Sequence, residues 1–273
     1  MNQVPAPATP DPADQALLAL AAELAARAAE LILEIRGRGF ETLHKQDASP
    51  VTEADQRAEA LILQGLRSGS TIPVIAEEEI AAGIAVEAGD EFWLVDPLDG
   101  TREFAAGRDD FTVNIGLVRH GRAVLGAVAL PAYGELYLGL VGHGAMRRDA
   151  HGETAIRVRT PPEAGLSVLA SRHYAGDPRL VAYLGGQRVA SLGNIGSAAK
   201  FARVAEGRAD LYPRLGRTME WDTAAPQAVV EAAGGSVVLL DGAGAGTTLR
   251  YGKPGWENPD FVCRGAIPEA TPE

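Results

Sequence analysis

Phe92-Trp93-Leu94-Val95-Asp96-Pro97-Leu98-Asp99-Gly100-Thr101 decides the reading of this chain. Its first four residues have the length and type of a short buried strand. The run ends on Asp96. Pro97 fixes its own φ and pushes Asp96 towards extended backbone. Gly100 allows a backbone shape or a close approach that a Cβ blocks. Residues 101–106 follow as a short helical turn. Two aspartates three residues apart on a stiff turn point at one spot, and they repel there unless a cation lies between them. Hard divalent ions such as Mg²⁺ take such oxygen ligands. The amides of Gly100 and Thr101, at the start of the turn, suit an anion. One turn that binds both a metal and a phosphate is the reading that follows. Against it stands the plainer one, a turn in which a single Asp caps a helix.

The surrounding composition is that of an ordinary globular protein: 273 residues, 46% hydrophobic and 22% charged. That length suits one large domain or two small ones sharing a core. A net charge of −11 argues against binding nucleic acid through a basic face. It also means that an anionic substrate needs cations brought into the site. Cys263 is the single cysteine, so no internal disulfide forms, which suits a reducing compartment. Residues 1–14 are rich in Pro and Ala, without the charged start of a signal peptide, and are expected to be a disordered tail. The Ala/Leu run over 16–33 is broken by Glu23, Arg27 and Glu30 and is not a membrane span.

Outward from the quoted stretch, periodicity predicts a helix capped by Asp11 or Asp14 and running to about residue 36, with Leu17, Leu20, Leu24, Ala28 and Leu31 on one face. Residues 40–43 read as a strand. Thr52 is a plausible N-cap for a helix to about residue 67, with Asp55 three residues on. Asp55 therefore suits two roles, capping partner or site carboxylate. Residues 71–76 read as a strand that stops at Glu77-Glu78-Glu79, a charge run of the kind usually found in a solvated loop. Yet this strand, like residues 92–95, delivers carboxylates at its C-terminal end, and two such neighbours converge their acids on one crevice. Strands at 111–119, 123–130, 134–141 and 144–148, with a further one at 156–159, make an antiparallel meander. Thr160-Pro161-Pro162 reads as a hinge. Beyond it, strands at 166–170, 188–192, 209–213 and 237–240 alternate with helices at 178–184, 197–205 (capped by Ser197) and 221–233, an α/β layer with a mixed sheet. Asp222 lies in the first turn of the last helix, where a carboxylate suits the dipole.

Three strings, the Glu77-Glu78 pair, Asp96-Pro97-Leu98-Asp99-Gly100-Thr101 and Trp221-Asp222-Thr223-Ala224-Ala225, resemble the inositol-monophosphatase-like family of metal-dependent, lithium-sensitive phosphatases. The resemblance runs from about Gln15 to Arg264. Within the family the chain looks most like the bacterial 3′(2′),5′-bisphosphate nucleotidases. The carrying strings are residues 45–55, 93–104, Phe111-Thr112-Val113-Asn114-Ile115, Ile195-Gly196-Ser197 with Lys200-Phe201, Val204-Ala205-Glu206-Gly207 and Leu211-Tyr212-Pro213-Arg214. Arg102 departs from the pattern, standing where those nucleotidases often carry Lys.

The resemblance implies a layered α/β (α+β) sugar-phosphatase fold. Its expected parts are a tail at 1–14, a metal-binding α+β half at 15–160, a substrate-binding α/β half at 161–265 and a tail at 266–273. It implies that Glu77, Asp96, the Leu98 carbonyl, Asp99 and Asp222 hold two or three Mg²⁺ ions, Asp96 being shared. Gly100 and Thr101 then bind the phosphate, and Asp55 with Thr101 orients the attacking water. Ser197, Lys200 and Arg214 are the candidates to hold the nucleotide's remaining phosphate or base. The implied activity is hydrolysis of 3′-phosphoadenosine 5′-phosphate to AMP and phosphate, which clears a by-product of sulfate assimilation and sulfotransfer. The alternatives are an inositol or sugar phosphate phosphatase and, outside catalysis, an inactive phosphate-ligand binding protein. The expected location is the cytoplasm, free or held loosely at the inner membrane. The expected partner is a small-molecule nucleotide, with no nucleic acid and no integral membrane association.

Overall fold

The computed structural model describes residues 9–44, 50–172, 176–240 and 246–266. The first helix, α1 (Pro12–Arg38), starts from the earlier of the two expected caps, Asp11, and so takes in the end of the expected tail. Its start has local causes. The Asp11 carboxylate accepts from Ala13 N at 2.9 Å, and Pro12 occupies a first-turn position where no N–H is needed. Asp14 is then tied to Arg119 at 2.8 Å. Buried Leu24, Ala25, Ala28, Ile32 and Ile35 form the inward stripe. The helix passes through Gly37 and stops at Gly39, whose φ is 84°.

A two-stranded ribbon follows, β1 (Thr42–His44) antiparallel to β2 (Pro50–Thr52). Residues 45–49 of the 45–55 string that carries the resemblance lie outside the described residues. Next come α2 (Glu53–Gly69), β3 (Val74–Ala76) and α3 (Glu77–Ala81). The Glu77-Glu78-Glu79 run is therefore helical, not a solvated loop. Three carboxylates in a first turn suit the positive end of the helix dipole.

Then β4 (Glu91–Asp99) and the short helix α4 (Thr101–Ala105) lead into a meander of β5 (Thr112–Arg119), β6 (Arg122–Leu130), β7 (Glu135–Leu140), β8 (Gly144–Asp149) and β9 (Gly152–Ile156). These strands form a seven-stranded sheet in the order β3-β4-β5-β6-β7-β8-β9, with only β3 and β4 parallel. The final strand lies before the expected 156–159. A tight turn ending at Gly152, with φ 111°, closes a hairpin directly on β8, and Arg148 pairs across it with Glu153.

The remaining chain gives β10 (Leu166–Ala170), α5 (Pro178–Leu184), β11 (Val189–Asn194), α6 (Ala199–Ala205), β12 (Leu211–Arg214), α7 (Ala224–Ala232), β13 (Ser236–Leu239) and β14 (Phe261–Arg264). They build a mixed five-stranded sheet ordered β11-β10-β12-β14-β13. Sequence reading had no strand at β14, yet it lies between β12 and β13, antiparallel to both. Phe261, Val262 and Cys263 are fully buried there. Among the described residues no helix is long and apolar enough to cross a membrane.

The single helix expected over 221–233 is broken. Glu220–Asp222 form one 3₁₀ turn, and α7 starts only at Ala224. Pro226 explains the break, because a proline ring clashes with the carbonyl four residues back, here Asp222. Helix α7 then lies directly on the seven-stranded sheet. Gly116, Gly126 and Gly139 are cross-strand neighbours on β5, β6 and β7. A Cβ on Gly126 would come within 2.2 Å of the Ala225 carbonyl oxygen, and one on Gly139 within 2.5 Å of Val229 Cα. This row lets backbone meet backbone, which fixes the turn before α7 against the end of β4.

Candidate active site

Residues 96 and 99 are separated by an odd number, so a regular strand would send them to opposite faces. The pairing of β4 with β5 prevents this. Asp96 lies opposite Asn114 and Asp99 opposite Thr112, so three steps on β4 match two on β5. One extra residue makes a bulge, and a bulge turns Asp99 to the face of Asp96. Pro97 sits inside it, where no ladder N–H is required. Gly100 follows in the left-handed region, with φ 94°. A Cβ there would lie 2.9 Å from the Asp110 carbonyl oxygen.

Glu77 is delivered at the end of β3, parallel to β4, so both strands carry acids to one crevice as the sequence suggested. Asp222 enters from the 3₁₀ turn. Carboxylate oxygens of Asp96, Asp99 and Asp222 lie within 4.8 Å of one another. Each side chain is fixed by a backbone amide: Asp96 accepts from Leu98 N at 2.9 Å, Asp99 from Ala198 N at 2.5 Å and Asp222 from Met219 N at 2.9 Å. Burial, reinforced by the charges of Glu77, Asp99 and Asp222, holds the Asp96 carboxyl well above the usual range. Burial pushes Asp99 up to about 6, against the pull of Lys200 and the Ala198 amide. Burial and the neighbouring Asp99 and Glu77 push Asp222 up to about 7. An all-oxygen set that resists its own ionisation is the donor chemistry a hard divalent cation relieves. The residues therefore fit Mg²⁺.

Asp55 makes the capping contact and also reaches Thr101 at the crevice. Its Oδ2 accepts from the Thr52 backbone N–H at 2.7 Å and from the Thr52 hydroxyl at 2.6 Å, completing the capping box of α2. Its Oδ1 accepts from the Thr101 hydroxyl at 2.8 Å. Thr101 Oγ1 also lies 3.1 Å from the Leu98 carbonyl oxygen. Burial is the main influence on Asp55 and raises its carboxyl.

The facing wall comes from the turn before α6. Ser197 lines the crevice in the left-handed region, with φ 48°, and it is Ala198, not Ser197, that occupies the N-cap position of α6. The Ser197 hydroxyl still accepts from Ala199 N at 3.2 Å. Lys200 departs most from expectation. It is only 2% exposed, and its Nζ donates to the carbonyls of Ile195 at 3.2 Å and Ser197 at 2.6 Å, over the Tyr212 ring. It clamps the Ser197 turn from beneath instead of reaching outward. Burial brings its ammonium down to about 7, with Asp99 opposing. Arg214 lines the crevice and donates to the carbonyls of Gly216 and Arg217. Arg102 and Arg217 line the same crevice. Arg217 was not singled out from the sequence; its only signal was its nearness to Arg214. Asn114, buried opposite Asp96, was read only as part of a string.

The family model of the inositol monophosphatase family matches residues 13–264. The chain belongs to the inositol monophosphatase family. Among relatives in this family, the 3′(2′),5′-bisphosphate nucleotidase CysQ of Salmonella typhimurium is 41% identical over 220 residues, covering 79% of this chain and 87% of that protein. A 3′-phosphoadenosine 5′-phosphate phosphatase of Mycobacterium leprae is 38% identical over 263 residues, covering 91% of this chain and 89% of that one. The crystal structure of CysQ from Bacteroides thetaiotaomicron, a bacterial member of the family, superposes with a TM-score of 0.76 at 32% identity. That superposition covers 92% of this chain and 97% of the other.

Proposed function

We propose that this family member is a Mg²⁺-dependent phosphomonoesterase that hydrolyses 3′-phosphoadenosine 5′-phosphate to AMP and phosphate in the cytoplasm. The observation that carries the chemistry is the convergence of Asp96, Asp99 and Asp222 beside the Asp55–Thr101 pair. The substrate follows from the two nucleotide phosphatases that match most of the chain. Glu77, Asp96, the Leu98 carbonyl, Asp99 and Asp222 are assigned to two or three Mg²⁺ ions. When bound, such ions neutralise the acids and stabilise charge on the attacking and leaving oxygens.

The chain's own residues do the rest. Thr101 donates its hydroxyl proton to Asp55, which leaves the Thr101 oxygen to accept a hydrogen bond from the attacking water. A water held so would keep a lone pair free to attack phosphorus. The buried, raised carboxyl of Asp55 is suited to taking up a proton as attack proceeds. Backbone amides at Gly100 and Thr101 receive the phosphoryl oxygens, acting where charge develops. Ser197 and the guanidinium groups of Arg214 and Arg217 face the part of the substrate that does not react. Lys200 contributes by holding the Ser197 turn.

Phosphate release from 3′-phosphoadenosine 5′-phosphate and from inositol monophosphate, measured side by side with Mg²⁺ and with a chelator, tests the reading. The expected result is Mg²⁺-dependent release with the larger kcat/KM on the bisphosphate. A larger kcat/KM on inositol monophosphate replaces the nucleotidase by an inositol phosphatase. No release from either phosphomonoester removes the catalytic assignment.

A further inference from the structure

Helix α2 presents two buried acids one turn apart, Asp55 and Glu59. The i, i+4 spacing puts both on one face. Asp55 reaches Thr101. Glu59, 4% exposed, reaches the start of α3. Its Oε2 accepts from Glu78 N at 2.8 Å and its Oε1 from Glu79 N at 2.9 Å. Those amides belong to the second and third residues of α3, whose first residue is Glu77.

The start of α3 needs such a partner. The first amides of any helix have no acceptor within it. A Ser, Thr, Asp or Asn at the N-cap normally supplies one. Here the N-cap is Ala76, which makes no side-chain cap bond. A helix of five residues has little stability of its own. Glu59 supplies the missing cap from 19 and 20 residues away, using one oxygen for each amide. It does so beside the acidic Glu78 and Glu79, whose charges oppose its own. A local Ser at the N-cap would satisfy an amide without burying another carboxylate. What Glu59 adds is a fixed distance, because the same rigid helix holds Thr101 through Asp55 and the start of α3 through Glu59.

We infer that Glu59 is a positioning residue which, by capping α3 from α2, sets the carboxylate of Glu77 for the divalent metal. The inference rests on the reading of Glu77 as a metal ligand.

The test is Mn²⁺ binding to the full chain, followed by the paramagnetic resonance signal of free Mn²⁺, for wild type, Glu59→Gln, Glu59→Asp and Glu77→Gln. Gln presents an NH₂ where one amide needs an acceptor, and Asp keeps the charge but is one methylene short. Both are expected to weaken Mn²⁺ binding about 10- to 100-fold, the range for lost outer partners of metal ligands. In phosphate release the metal concentration for half-maximal rate should rise by the same factor, with kcat at saturating metal largely restored. Adding Ala76→Ser to Glu59→Gln supplies a local cap and should recover part of the affinity. Wild-type Mn²⁺ affinity in the folded Glu59 variants, with affinity lost in Glu77→Gln, overturns the role of Glu59 alone. Unchanged affinity in Glu77→Gln overturns the ligand reading instead. Failure of both Glu59 variants to fold, seen by circular dichroism, also overturns the inference, because Glu59 is then a stability element.

Discussion

The two ends of α6 meet the seven-stranded sheet through charged side chains, in opposite ways. At the C-terminal end, Arg203 donates to Glu135 at 2.8 Å, to the Tyr137 hydroxyl at 2.6 Å and to Glu206 at 2.7 Å. Arg147 adds contacts to Glu206 and Asp149, and Arg208 another to Glu206. Three arginines thus face three carboxylates. At the N-terminal end, Ala198 N touches Asp99, whose other neighbours include Asp96 and Asp222. There the acids raise one another's affinity for protons, and of the cations nearby Lys200 is buried and turned to carbonyls while Arg214 donates to the carbonyls of Gly216 and Arg217. A matched cluster completes itself within the chain. An unmatched one lacks that compensation, and a ligand of opposite charge would supply it.

The contrast is open to breaking at either end. The largest effect on stability is expected at the matched end. Arg203→Met takes a partly buried guanidinium from Glu135 and from Glu206, which keeps Arg147 and Arg208, and the loss of such charged hydrogen bonds costs about 1.5–3 kcal/mol. Urea unfolding should show that loss with and without Mg²⁺. A loss under about 1 kcal/mol would mean that the cluster is no more than a surface pair.

A smaller and more diagnostic effect is expected from pH in metal-free protein. Asp99 and Asp222 have folded values of about 6 and about 7 against an ordinary 3.8, and Glu59, raised by burial, about 7 against 4.5. The folded state therefore holds protons that the unfolded state has already released. Stability from these groups is fully present below their ordinary values and is lost as pH rises through about 6 to 7. The melting temperature without metal should fall across that window, and saturating Mg²⁺ should flatten the fall. A melting temperature that rises with pH there, with no effect of Mg²⁺, would contradict the unmatched character of the site.

Much of this was legible in the sequence because the signals were local. Asp96-Pro97-Leu98-Asp99-Gly100 contains its own bulge and turn, and the Thr52–Asp55 cap closes within four residues. What was not legible depended on partners far along the chain. Lys200 looks like an available cation until the carbonyls of Ile195 and Ser197 and the Tyr212 ring close around it. The glutamate run at 77–79 looks like a loop until Glu59 caps it. Gly116, Gly126 and Gly139 sit singly in three strands, and only strand register aligns them under α7. Strand β14 is four residues long and follows an irregular stretch, so its place inside the sheet, between β12 and β13, had no periodic signal. Pro226 was visible, but its clash with Asp222 matters only once the backbone is helical.

The most direct measurement is a thermal melt of wild type and Asp96→Asn, each with a chelator and with saturating Mg²⁺. Asp96 lies buried among Glu77, Asp99 and Asp222, so a neutral amide there removes the cost of ionising or protonating a carboxyl when no metal is bound. With chelator, Asp96→Asn should melt at or above the wild-type temperature. With Mg²⁺ the order should reverse, because the wild type gains the free energy of metal binding and the variant does not. If instead the variant melts well below wild type in chelator, and Mg²⁺ shifts both equally, the acids at the end of β4 are structural and the metal site lies elsewhere.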